Sequence, residues 1–178
     1  MKIMKRKITL FILAALLLWT ASAVQAQVSV SVSTYAGSTY GYTDGNLLDA
    51  QFNQPQALLF DESGNLYVAE YNNEAVRKIT PSGTVSTLTA QKIYWPYQMT
   101  LADGKLYVME RWGSLDASRI KQVDMTTGAV TTTSYGNYNY SLGLCSDAAG
   151  NLYVSDYHSI YKVPTDTRQK NIACGRWF

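Results

Sequence analysis

The chain has 178 residues, a hydrophobic fraction of 47% and a formal net charge of +2. Residues 1–26 hold four of the 15 Lys and Arg and none of the 13 Asp and Glu, so the remainder carries 11 cations against 13 acids. A slightly acidic remainder without a basic run argues against nucleic-acid binding. One His and two Cys provide few metal ligands, and we predict neither a metal site nor a cofactor.

The N-terminal segment has the pattern of a targeting sequence. Residues 1–7 are basic, residues 8–19 are apolar apart from Thr9, and small residues follow. This order is typical of a secretory signal peptide over residues 1–26, and the apolar run is short for a bilayer span. The sequence therefore predicts an exported protein, periplasmic, cell-surface or secreted, with no transmembrane segment after cleavage. The alternative is an uncleaved N-terminal anchor.

Strand-forming patterns dominate after residue 27. Alternating Val and Ser predict a strand over residues 28–34 with one buried face. The Gly-rich stretch 37–46 predicts turns. Residues 47–52 are predicted to form a short helical turn.

The tripeptide Leu-Tyr-Val occurs three times, beginning at Leu66, Leu106 and Leu152. Each copy has a Gly two residues before its Leu and an acid four residues after it. Separations of 40 and 46 residues are typical of a repeat architecture. Around each copy, short strand-forming runs alternate with Gly-bearing turns, and four short strands per period predict β-propeller blades.

Eleven strands are predicted in the three repeats. They are residues 57–60, 66–70, 75–80 and 85–89 in the first, 99–102, 106–110, 118–124 and 129–134 in the second, and 142–146, 151–155 and 159–163 in the third. The apolar run 57–60 predicts an inner strand covered on both faces. The sequence thus predicts an all-β fold, a β-propeller of four-stranded antiparallel blades over residues 27–163. About three blades are present, an incomplete ring, and residues 164–178 form an irregular tail.

The first repeat resembles a known family. Its string AQFNQPQALLFDESGNLYVAE, residues 50–70, followed by VRKI, residues 76–79, looks like an NHL repeat, and the likeness extends over roughly residues 35–163. The resemblance implies a propeller. It leaves the function open, because similar folds serve as binding platforms and, in some branches, as lyases or hydrolases.

The number of blades leaves three interpretations open. A closed propeller has about 4–8 blades, so the chain is a truncated product, an open partial ring, or one part of a ring that two chains form together. An open arc exposes the apolar flanks of its first and last blades, which favours self-association.

The acids Glu70, Glu110 and Asp156 share one repeat position at the end of the second strand. One interpretation is a ring of carboxylates that binds a cation or a polar ligand. We favour a structural role, in which each acid caps its own loop or pairs with an Arg. Arg119 occupies the family position for that Arg in repeat two, and the other repeats lack it, so we expect an ion pair in blade two only.

Aromatic residues cluster in the segments that connect strands. In a propeller, the loops between second and third strands and the links between blades share one face, and exposed Tyr and Trp there suit recognition of a ligand. About half of these rings are expected to be buried. His158, the sole histidine, is a base, a ligand contact or an ordinary loop residue. The candidate ligand-binding residues are Tyr71, Trp95, Trp112, Tyr138, Tyr157 and His158.

Two cysteines remain after the targeting segment. Export permits a disulfide between Cys145, in the first strand of blade three, and Cys174, in the tail. The alternative is a buried, free Cys145 and an exposed Cys174 that bridges two chains.

These observations predict a non-catalytic binding or scaffold module outside the cytoplasm, with a protein or carbohydrate ligand on the aromatic-bearing face. The first alternative is a propeller lyase or hydrolase with a metal-assisted site drawn from Glu110, Asp156 and His158. The second is a truncated fragment without function. The sequence contains no GxSxG motif and no phosphate-binding loop.

Overall fold

The computed structural model describes residues 29–111, 117–133 and 138–165. The chain divides into two units, Met1–Ser33 and Thr34–Phe178. The predicted signal peptide lies outside the described residues. No helix in the described part of the chain is long and apolar enough to cross a bilayer.

The described residues of the first unit correct one prediction. Residues 29–33 form no strand, and the side chains of Val30 and Val32 are 82% and 95% exposed. Alternating Val and Ser supply only a strand propensity, which is realised when the strand pairs and packs one face. The strand predicted over residues 28–34 is therefore wrong for the part that the structure describes.

The described part of the second unit contains thirteen strands and no helix, and all paired strands are antiparallel. The first sheet, blade one, has the order β1-β5-β4-β3-β2. Its strands are β1 (Gly45–Asn46), β2 (Pro55–Phe60), β3 (Leu66–Glu70), β4 (Ala75–Ile79) and β5 (Thr84–Thr87).

Blades two and three follow in chain order. Blade two contains β6 (Pro96–Ala102), β7 (Lys105–Arg111), β8 (Ala117–Val123) and β9 (Val130–Thr132), with the short β10 (Tyr138–Asn139) also paired to β8. Blade three contains β11 (Gly143–Ser146), β12 (Leu152–Ser155) and β13 (Ile160–Val163). The predicted all-β propeller blades are confirmed, with strand ends within about three residues of the predicted ones, as is usual for sequence patterns.

Successive blades pack face to face. Tyr67 and Val76 of blade one share an apolar cluster with Met99, Leu106 and Val108 of blade two. A second cluster joins blades two and three, and a third lies on the opposite face of blade one. The core therefore consists of layers between blades, which is how a propeller blade buries its two faces.

Asp side chains hold the turns between the first two strands of blades one and three. In blade three, Asp147 accepts hydrogen bonds from the backbone N–H groups of Ala149 (3.0 Å) and Asn151 (2.9 Å) and from the Tyr153 hydroxyl (2.9 Å). The Asn151 side chain and these further donors hold the pKa of Asp147 down to about 2. Asp61 makes the corresponding contacts in blade one. Such local acceptors explain why Asp begins these turns.

The first strand of blade one corrects a second prediction. Leu58 and Phe60 are 66% and 62% exposed, whereas Ala57 and Leu59 pack on blade two. A continuous apolar run predicts two covered faces, but only one face of this strand is covered here. The helical turn predicted over residues 47–52 is shorter in the structure: it is a single turn, in which the Ala50 N–H donates to the Asn46 carbonyl (2.9 Å).

Candidate functional site

The loops after second strands and the links before first strands lie on one face, as predicted. The Tyr71 N–H donates to the Gln54 carbonyl (3.0 Å), and the Arg111 N–H donates to the Tyr94 carbonyl (3.1 Å). In blade three the rings of Tyr140 and Tyr157 lie 5.6 Å apart. We call this surface, which also includes residues 71–74 and 156–159, the loop face.

In blade one, the repeat acid anchors the link that precedes β2. The Glu70 side chain is fully buried, and its Oε1 accepts hydrogen bonds from the Asn53 backbone N–H (2.7 Å) and the Asn73 side chain (2.9 Å). Its Oε2 accepts from Arg77 (2.9 Å). A buried carboxylate needs such partners, because burial without them is costly.

Arg77 corrects the expectation that only blade two has an ion pair at this position. The Arg77 side chain is fully buried and bonds both Glu70 and Asp44. Its guanidinium also lies 5.2 Å from the centroids of the Tyr42 and Phe52 rings. Register places Arg77 opposite Val68, two residues from the position that Arg119 occupies in blade two, and a long side chain reaches a diagonal partner across a sheet.

In blade two, the repeat acid performs the same task with different cations. Glu110 is fully buried, and its Oε1 contacts Arg119 (2.8 Å) and Lys121 (3.3 Å). Its Oε2 accepts a hydrogen bond from the Tyr94 backbone N–H (2.9 Å). The carboxylate therefore anchors the link that leads into β6.

In blade three, the repeat acid caps its own loop. Asp156 accepts hydrogen bonds from the backbone N–H groups of His158 (3.0 Å) and Ser159 (2.9 Å) and from the Tyr161 hydroxyl (2.9 Å). The His158 N–H and the other donors outweigh burial and lower the pKa of Asp156. Asp is one methylene shorter than Glu, and its bonds here are local ones, typical of an Asx turn.

A pocket of about 480 Å³ opens where the first strands of the blades meet the loop face. It is lined by three amides, two phenols, one guanidinium and one apolar side chain: Gln54, Gln56, Gln98, Tyr71, Tyr97, Arg111 and Leu142. Only Tyr71 of this set is among the candidate ligand-binding residues selected from the sequence.

Two of the lining residues that were not selected from the sequence share a local signal. The register between β2 and β3 shifts at Gln56, and the register between β6 and β7 shifts at Tyr97. Each irregularity follows a Pro that begins the strand, and a β-bulge turns a side chain away from the regular alternation. Two repeat-equivalent bulges thus help to line the pocket, and the Pro at each strand start was the available signal.

The links that border the pocket contain strained backbone. Gln54 and Trp95 have φ angles of 51° and 47°, and Tyr140 in the third link has 50°. Non-glycine residues seldom adopt this left-handed conformation, and it persists where the surroundings hold it in place. Glu70 and Glu110 each bind the N–H immediately before the strained residue.

Aromatic rings and a cation give the pocket its chemistry. The Tyr71 and Trp95 rings stack with 6.2 Å between centroids and an interplanar angle of 20°. The Arg111 guanidinium lies 5.5 Å from the centroid of the Tyr97 ring. Among the residues that the structure describes, no carboxylate pairs with Arg111. The pocket therefore presents hydrogen-bond donors, flat apolar surface and a positive charge.

The other predicted contact residues have different placements. Tyr157 is 69% exposed, and its ring lies 4.6 Å from the His158 ring, edge to face. Tyr138 is only 5% exposed because it packs in the apolar cluster between blades two and three, which corrects its prediction as a ligand contact. Trp112 lies outside the described residues.

The structure also locates the described residues that were candidates for metal binding or thiol chemistry. No group of three or more His, Cys, Asp or Glu in the described residues has the arrangement of a metal site, so Glu110, Asp156 and His158 are not brought together as one. Cys145 is exposed, contrary to the buried alternative. Cys174 lies outside the described residues, and its pairing with Cys145 stays a prediction.

Comparisons with known proteins returned similar folds. No family model and no curated protein matches the chain. The chain is similar to virginiamycin B lyase from Staphylococcus aureus, with 18% identity and a TM-score of 0.48 over 62% of this chain and 38% of that chain. It is also similar to a gluconolactonase from Xanthomonas campestris, with 19% identity and a TM-score of 0.47 over 78% of this chain and 49% of that chain. A structure of a nidogen/laminin complex matches with 21% identity and a TM-score of 0.47 over 57% of this chain and 39% of that chain. The chain spans less than half the length of each of these proteins.

Proposed function

We propose that this chain is an NHL-type propeller segment that acts outside the cytoplasm as a binding module. Its loop face binds a protein or carbohydrate ligand, and part of that ligand occupies the pocket between the first strands. The observation that carries the proposal is the pocket of about 480 Å³ with its lining of amides, phenols and Arg111. Concave sites with a few convergent polar groups are the usual form of a ligand site.

The lining favours a ligand with hydroxyl, amide or carboxylate groups. Gln54, Gln56 and Gln98 each offer a donor and an acceptor, and Arg111 offers a fork of donors that matches a carboxylate. The stacked rings of Tyr71 and Trp95 provide a flat apolar surface beside these groups. Aromatic rings next to hydrogen-bonding groups suit both sugar rings and extended peptides.

The loop face is organised before any ligand arrives. Glu70 and Glu110 bind the backbone of the two links that carry Gln54 and Trp95, so these side chains are positioned by buried carboxylates. The entropic cost of ordering these loops on binding is therefore smaller, which favours affinity. Preorganisation supports a binding role for the face.

The proposal is tested with arrays of carbohydrates and of peptides, followed by titration calorimetry on each ligand that binds. Arg111→Ala and Tyr71→Ala should each weaken binding at least about tenfold, which corresponds to about 1.4 kcal/mol. Lys105→Ala is the matched control, because Lys105 is an exposed cation at the opposite end of the same strand, β7. The triple alanine variant of Trp95, Trp112 and Tyr157 should abolish binding. Unchanged affinity in the Arg111 and Tyr71 variants would overturn the proposal.

A further inference from the structure

All three blades have an equivalent face, which is covered by the next blade in blades one and two and is exposed in blade three. We call the face of each blade that points toward the next blade in the chain its forward face. Val76, Ile120 and Ile160 occupy the same position on it, each opposite the residue that precedes the repeat acid. Val76 and Ile120 are 0% and 1% exposed, whereas Ile160 is 78% exposed. Blade three therefore presents a blade-binding surface that nothing in the described chain covers.

The open forward face repeats the Tyr–Lys pair of the covered one. In blade one, Lys78 lies over the Tyr67 ring at 5.9 Å, and in blade three Lys162 lies over the Tyr153 ring at 5.7 Å. Tyr67 is buried under blade two, and Tyr153 is only half-buried. Cys145 lies beside Tyr153 on this face.

Blade one presents the complementary surface, its backward face. Leu58 and Phe60 are exposed on the inner strand of this face. Their equivalents in blade two by register are Met99 and Leu101, which pack on the forward face of blade one. Leu58 and Phe60 are thus the equivalents of two residues that already pack against a forward face within the chain.

The outer strands of the backward face are covered by the chain itself. Ala36, Leu47, Ala50 and Phe52 pack over the core of blade one. Leu48, in the same covering segment, is 61% exposed. The open area is therefore confined to the inner strand and the outer side of this segment.

We propose that a second copy of the chain docks head to tail, with the forward face of its blade three on the backward face of blade one. The occupant is a second copy because the chain holds both halves of a contact that it already makes between its own blades. Apolar side chains with these exposures on paired sheets favour association. The contact is heterologous, since the forward face of one copy binds the backward face of the other. It does not depend on the proposed ligand-binding role.

The test measures the oligomeric state by analytical ultracentrifugation over a wide concentration range. The wild-type chain should form dimers or longer assemblies. Phe60→Glu, on the backward face, and Ile160→Glu, on the forward face, should each be monomeric. An equimolar mixture of the two variants should form a heterodimer, because one intact flank of each kind remains. Lys105→Glu is the control, an exposed residue at the start of β7 in the middle blade that should leave association unchanged.

A second measurement uses the thiol on the forward face and stays informative if a variant folds poorly. In a Cys174→Ser background under reducing conditions, Cys145 should react more slowly with a thiol reagent as the protein concentration rises. Adding Phe60→Glu should remove that concentration dependence. A monomeric wild-type chain, a mixture of variants that stays monomeric, or constant Cys145 reactivity would each overturn the proposal.

Discussion

Blades one and two differ from blade three at the same repeat position, and the difference separates two parts of the loop face. Glu70 and Glu110 are buried, paired with cations, and bound to the backbone of the preceding link. Asp156 instead binds donors within its own loop. The two glutamates therefore join two segments, whereas the aspartate, which is one methylene shorter, caps one. The pocket lies where the joined segments meet.

The largest expected effect is at Arg77. Arg77→Met removes the cation and leaves Glu70 buried without its ion partner, so we expect a loss of about 3–5 kcal/mol in the free energy of unfolding. The measurement is urea unfolding followed by circular dichroism. Arg119→Met is the matched variant in blade two and should lose less, because Arg119 is partly exposed and Lys121 still contacts Glu110. An equal or larger loss at Arg119 would contradict the comparison.

A smaller effect is expected at Glu110. Glu110→Ala removes the acceptor of the Tyr94 N–H and the partner of Arg119, and both bonds are part-buried, so we expect a loss of about 2 kcal/mol. The same unfolding measurement applies. The loss should be accompanied by weaker binding of any pocket ligand, because Trp95 stands on the link that Glu110 anchors.

Asp156 should matter less than either glutamate. Asp156→Ala removes local hydrogen bonds in a loop, and we expect a loss of about 1 kcal/mol or less. Because no link is anchored there, ligand binding at the pocket should be unchanged. A loss as large as that of Glu110→Ala would show that the loop of blade three has a wider structural role.

The smallest effect concerns pH and the turn of blade three. The folded pKa of Asp147, about 2, lies below the ordinary Asp pKa of 3.8. The stabilisation is therefore present above the ordinary pKa and is lost as pH falls from about 4 to about 2. Unfolding curves across this window should show a shallower acid-induced loss for Asp147→Asn than for wild type.

The sequence predicted the strands and the shared loop face well, because both depend on short-range patterns and on a repeat. It did not predict the Glu70–Arg77 pair, because Arg77 reaches the acid diagonally from two residues beyond the position equivalent to Arg119. The pocket residues Gln56 and Tyr97 depend on bulges that break the alternation. The exposure of Leu58 also escaped prediction, since an apolar run does not reveal which neighbour covers it.

The central claim is that buried carboxylates hold the links that carry the pocket, and amide hydrogen exchange by NMR tests it most directly. The Asn53 and Tyr94 amides, which donate to Glu70 and Glu110, should exchange slowly in the wild-type chain. Glu110→Ala should accelerate exchange at Tyr94 while Asn53 stays protected, and Asp156→Ala should leave both slow. Fast exchange of both amides in the wild-type chain, or a Tyr94 rate unchanged by Glu110→Ala, would contradict the account.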